Sequence, residues 1–122
     1  MTLSDYNAFC AALPAAHHAL QWGGSHVWKV GGKVFAIASQ WHTGPDQPPY
    51  ITFKTSDMSF ELLKDQPGCR PAPYLASRGM KWIQRCDAGS IDDEALRDYL
   101  RESHRLVAAK LTRKARAELG LV

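Results

Sequence analysis

Val27-Trp28-Lys29-Val30-Gly31-Gly32-Lys33-Val34-Phe35-Ala36-Ile37 sets bulky, strand-favouring residues on both sides of a Gly-Gly pair. A two-residue hairpin turn of the primed type needs positive φ at its central positions, which glycine adopts without steric cost. The stretch therefore predicts two antiparallel strands, His26–Val30 and Lys33–Gln40, joined at Gly31-Gly32. On the N-terminal side, Gly23-Gly24-Ser25 predicts a second turn, with a strand over Ala19–Trp22 before it.

Further out the chain supplies helices. Leu3, Tyr6, Phe9, Cys10 and Leu13 follow helical spacing behind Ser4-Asp5, and Pro14 ends that element. The run from Thr43 to Pro49 is a proline-rich loop, since proline cannot donate to a strand ladder. Tyr50–Thr55 resumes a strand in which Tyr50, Thr52 and Lys54 face opposite to Ile51, Phe53 and Thr55. Ser56 caps a short helix that carries Phe60, Leu62 and Leu63 and stops at Pro67-Gly68. Arg70-Pro71-Ala72-Pro73 is an extended passage, and Met80–Cys86 is the last strand. Asp92, Asp93 and Glu94 crowd a helix start, where the macrodipole favours acids. Leu96, Tyr99, Leu100, Ser103, Val107 and Leu111 trace one face of that helix, and Thr112 is placed to cap a short final one. The order predicts an α+β two-layer sandwich: a twisted antiparallel sheet of about five strands with helices on one face.

The 122 residues fit a single domain with one core. Hydrophobic residues make up 45% and charged residues 22%, which excludes a disordered polyampholyte. No secretory signal pattern and no bilayer-length apolar run occur, so a cytoplasmic protein with no membrane partner is expected. Cys10, Cys69 and Cys86 are odd in number and widely spaced, so reduced thiols are expected, with Cys10 and Cys86 buried. His17 and His18 would face opposite ways on a strand, and His26, His42 and His104 are isolated, so neither a metal nor another cofactor is expected. No phosphate loop, nucleophile elbow or His-Glu-x-x-His motif occurs, and a non-enzymatic protein is expected.

Leu13-Pro14, Gln21-Trp22-Gly23, Val30-Gly31, Lys33-Val34-Phe35-Ala36, Phe53-Lys54, Arg70-Pro71-Ala72-Pro73-Tyr74-Leu75, Trp82, Leu96, Tyr99 and Ser103 form an ordered set along nearly the whole chain. That set resembles the MmcQ/YjbR family of small bacterial proteins. The resemblance implies a frataxin-like fold and a DNA-binding role in which sheet hairpins act as a double wing. The chain departs from the family pattern at Ala76-Ser77-Arg78-Gly79-Met80-Lys81 and at Ser103-His104.

Charge is placed unevenly. The net charge is +3, yet residues 97–116 alone carry +5, leaving −2 elsewhere. Arg97, Arg101 and Arg105 share a helical stripe that either grips phosphate or is a solvated face paired with Asp98 and Glu102. Lys29, Lys33, Lys54, Arg70, Arg78 and Lys81 form a second basic set on strands and connections, and Trp41 is the candidate wing-tip contact. With these ten residues the expected partner of a monomer is duplex DNA. The alternative is a protein- or small-anion-binding module, its groove lined by Trp22, Tyr74 and Trp82 and its anion oriented by Lys33, Lys54 and Arg70.

Overall fold

The computed structural model describes the chain apart from His42, Pro45, Tyr74, Ala76, Ser77 and Val122. Helix α1 spans Leu3–Ala11 and opens on Thr2, not on Ser4. The Thr2 hydroxyl accepts from Asp5 N at 3.0 Å, and the Asp5 carboxylate accepts from Thr2 N at 3.3 Å. This reciprocal capping satisfies two backbone donors that an α-helix start leaves open. Strands β1 (Ala16–Gln21), β2 (Ser25–Val30) and β3 (Lys33–Ser39) form a meander. Gly31 and Gly32 join β2 to β3 with φ of 58° and 79°, the two positive angles that the primed turn requires.

Strand β4 (Tyr50–Lys54) leads through helix α2 (Asp57–Leu63) to β5 (Cys69–Pro71) and β6 (Trp82–Arg85). The sheet is six-stranded and antiparallel, in the order β1-β2-β3-β4-β6-β5. The sequence predicts about five strands because the prolines of Arg70–Pro73 argue against ladder pairing. Pro71 nevertheless lies opposite Ile83, at a sheet edge where only one side of the strand needs donors.

Helix α3 (Asp93–Ala108) crosses β3 and β4, and α4 (Arg113–Glu118) follows behind its Thr112 cap. The helices bury one sheet face. Leu96, Leu100, Ser103 and Val107 of α3 and Tyr6 and Cys10 of α1 meet Trp28, Ala36, Phe53 and Ile83, which stand in one cross-strand row. Tyr99 stacks on Phe53 at 5.4 Å. Phe35 is the extra residue of a bulge opposite the Trp28–Lys29 step, and its ring is fully buried, edge-on to His104 at 5.1 Å.

Beyond that bulge β3 and β4 part company. Their last paired residues are Ala36 and Phe53. One position further, the fully buried Ser103 hydroxyl donates to Phe35 O at 2.6 Å and accepts from Lys54 N at 2.9 Å. A helix side chain thus completes two backbone groups that the ladder no longer serves. Ser103→Ala is expected to cost about 1–3 kcal/mol in urea melts, since it strands both groups in the interior.

Buried Arg85 donates to Ile91 O at 2.9 Å and to Asp93 Oδ1 at 3.0 Å, so Asp93 serves as a structural ion partner as well as a helix-start acid. The glycines of the β2–β3 turn are unequal. A Cβ on Gly31 would stand 2.6 Å from Leu111, whereas one on Gly32 meets open space. Both alanine variants carry left-handed backbone strain of about 1 kcal/mol. Gly31→Ala adds the displacement of Leu111, so its thermal midpoint should fall below that of Gly32→Ala.

Candidate binding groove

Strand alternation sends Val27, Ile37, Thr52, Gln84 and Arg70 to the sheet face opposite the helices, in one row of directly paired residues. Among the described residues no helix lies across this row, and α3 reaches only its margin, through Val107. The segment after β5 and the β1–β2 turn lean over it instead and leave two cavities, of about 430 and 360 Å³. Both are lined by Trp22, Ile37 and Leu75, so they form two halves of one groove. Trp41 borders the first half, and Lys33, Lys54, Lys110 and Trp82 border the second.

The floor of the first half is a hydrogen-bonded chain. Arg70 Nε donates to Gln84 Oε1 at 2.7 Å, and Gln84 Nε2 donates to Thr52 Oγ1 at 3.3 Å. Cys86 Sγ also donates to Gln84 Oε1, at 3.9 Å. The Gln84 oxygen is thereby engaged, while its amide keeps a second hydrogen and the Thr52 hydroxyl keeps its own. In the second half, Trp82 is 5% exposed and its indole N–H has no hydrogen-bond partner among the described residues.

Trp22 is not a core residue. It is 57% exposed, and its backbone sits at φ 49°, a region that bulky residues rarely occupy. Trp41 is 65% exposed and packs against Gly23, where a Cβ would come within 2.8 Å of the indole. Two exposed indoles that border a cleft side by side, one held by a strained backbone, have no role in packing the core.

Of the basic residues picked from sequence, Lys33 and Lys54 converge at the second cavity, where Lys110 joins them. Arg70 anchors the floor and lies 5.7 Å from the Tyr50 ring centre. Lys29 pairs across the sheet with Val34, Lys81 lies over the Phe60 ring at 4.8 Å, and Arg78 is exposed after β5. The arginine stripe lies on α3, outside the groove lining. Arg101 is paired with Asp98 at 2.7 Å, and the Arg105 Nε bonds Glu102 at 2.8 Å; Arg97 is half-buried. The solvated, paired face is the arrangement found for Arg101 and Arg105. Tyr74 lies outside the described residues.

Thr52, Gln84, Ser25, Ser39 and Lys110 were not legible as groove residues. The alternation of Tyr50, Thr52 and Lys54 against Ile51 and Phe53 was the one signal pointing to them.

A family model described as YjbR matches residues 11–106. The chain belongs to the YjbR family. A crystal structure of a Deinococcus radiodurans protein with a DUF419 domain is similar at TM-score 0.79 and 25% identity, covering 99% of this chain and 89% of that one. A Pseudomonas syringae protein is similar in fold at TM-score 0.68 and 15% identity, covering 88% of this chain and 99% of that one. No protein with a curated description matches the sequence. The YjbR assignment fits the α+β sandwich described above, corrected to six strands.

Outside the groove, no three His, Cys, Asp or Glu side chains among the described residues gather as a metal site, and no helix among them is long and apolar enough to cross a membrane. Cys10 is buried, which pushes its thiol up to about 12, while Cys86 is only half-buried, contrary to the sequence expectation. His18 Nε2 and His26 Nδ1 share a hydrogen bond of 2.9 Å, and Asn7 Nδ2 approaches the same His26 nitrogen at 3.3 Å. Burial, and then His18, hold His26 below the ordinary histidine value of 6.5. Below pH 6.5 the unfolded chain takes up this proton before the folded one does. Stability should therefore fall as pH drops from 6.5 through the folded-state value, and His26→Gln should flatten that slope in pH-dependent urea melts.

Proposed function

We propose that this YjbR domain is a non-catalytic nucleic-acid-binding protein whose contact surface is the groove on the sheet face opposite the core. The observation that carries the reading is the convergence of Lys33, Lys54 and Lys110 at one end of a cleft bordered by exposed Trp22 and Trp41. Ammonium groups attract phosphate without regard to sequence, and indoles offer a surface to bases. The family likeness to a DNA-binding double wing points the same way, with one adjustment. The Gly31 side of the β2–β3 hairpin tip is seated on Leu111, which supports the groove over that hairpin tip as the contact surface.

Phosphate contacts release counterions, so affinity should fall steeply between low and physiological salt. Lys33 is exposed beside the turn, and Lys33→Ala should change stability by no more than about 0.5 kcal/mol. It should still reduce the slope of log affinity against log salt by about one contact. Fluorescence anisotropy of a labelled DNA oligonucleotide across a salt series measures this. Absence of binding at low salt, or an unchanged slope in the variant, refutes the reading.

A second reading, a pocket for a small anionic metabolite, is favoured by the Trp82 indole N–H beside the lysines, which has no acceptor among the described residues. A thermal-shift screen of mononucleotides and carboxylates decides it, because a ligand at a hundred times its Kd raises stability by about 2.7 kcal/mol.

A further inference from the structure

We infer that the groove takes single-stranded nucleic acid, with unpaired bases laid on Trp22 and Trp41 and the backbone running to the lysine end. The inference rests on the nucleic-acid reading above and narrows it to one form of the polymer. Three observations carry it.

The first is Trp22 itself. Its indole lines both halves of the groove, is 57% exposed, and is carried on a backbone at φ 49°. Asparagine or glycine would sit there with less strain. Strain retained under an exposed aromatic marks a surface kept for contact and not for packing. A base pressed against such a ring gains stacking energy whatever its identity, and only an unpaired base offers a free face.

The second is the depth of the polar floor. Thr52 is 5% exposed and Gln84 8%, both at the bottom of a cleft bordered by Trp22, Trp41 and Leu75. A duplex presents its base edges inside its own grooves, behind two phosphate backbones, and cannot lower them to this floor. A splayed-out base can. The spare hydrogens there, on the Gln84 amide and the Thr52 hydroxyl, are donors, and they suit the carbonyl oxygens of a pyrimidine such as thymine.

The third is the shape of the charge. Lys33, Lys54 and Lys110 gather beside the second cavity, while the first is bordered by indoles and Pro73 and its nearest cation, Arg70, is engaged by Gln84 beneath the floor. A compact anion would need only the lysine end. A chain of nucleotides uses both, phosphate against lysine and base against tryptophan.

The test compares a labelled ten-nucleotide oligothymidylate with a duplex of equal length, at low salt, by anisotropy and by intrinsic tryptophan fluorescence. Oligothymidylate should bind and quench the fluorescence, and the duplex should bind at least tenfold more weakly. Trp22→Asn should keep or raise the melting temperature yet weaken oligothymidylate binding about five- to hundredfold, the effect of losing one stacked base. Trp22→Phe should retain most of the affinity. Duplex binding equal to or tighter than single-strand binding overturns this inference and leaves the nucleic-acid reading standing. So does single-strand binding unaffected by Trp22→Asn. Failure of both oligonucleotides to bind overturns the nucleic-acid reading together with it. Inorganic polyphosphate serves as the charge control: full competition with no fluorescence quenching by oligothymidylate means a purely electrostatic surface, which again overturns the inference.

Discussion

The Ser103 hydroxyl, shared between Phe35 O and Lys54 N, is the contact on which the architecture turns. A sheet whose two central strands separate exposes backbone groups that must find partners or cost stability. Serving them from α3 lets β3 carry its bulge and turn Phe35 inward without opening the core. It also fixes where α3 crosses the sheet. Leu96 and Leu100 sit above Ser103 on the same helical stripe and Val107 sits below, so one buried oxygen registers the whole helix on the strands.

The groove follows from the same one-sided arrangement. The buried faces of the helices join a single core on one side of the sheet, which leaves the row Val27–Ile37–Thr52–Gln84–Arg70 to be covered mainly by connections. A sheet face that meets only turns and an extended segment is not packed to interior density, and cavities result. Where β3 and β4 diverge, the C-terminal end of α3 reaches the margin of that face. Lys110 can therefore stand beside Lys33 and Lys54 although they are far apart in sequence. The break in the ladder that Ser103 repairs is thus next to the position where the lysines meet.

The features that were legible in the chain are those set by neighbours along it. Gly31-Gly32 specifies its turn through two positive φ angles, and Thr112 specifies the start of α4 through a side-chain oxygen three residues from its donor. The stripe Leu96, Leu100, Ser103 and Val107 specifies a buried helix face through the 3.6-residue repeat. Near misses were local too. Thr2 outcompetes Ser4 as a cap because Asp5 closes a reciprocal box with it, and β1 begins at Ala16, ahead of the expected Ala19. These signals, together with the ordered family motifs, suffice for an α+β sandwich of the YjbR type.

Tertiary structure alone decided the rest. Pro71 is a poor strand residue until an edge position removes the demand for its missing N–H. Nothing near Trp22 in sequence says that its indole stays in solvent while Trp82 is buried; that depends on which sheet face the helices take. The arginine stripe looked as cationic as the lysines, yet Arg101 and Arg105 are paired within their own helix turn, whereas Lys33, Lys54 and Lys110 border one cavity from β3, β4 and the turn after α3. Dihedral preference and side-chain periodicity act over a few residues and can be read in order along a chain. Cross-strand register and the choice of covered face are set by long-range burial, and a binding groove exists only once those are fixed.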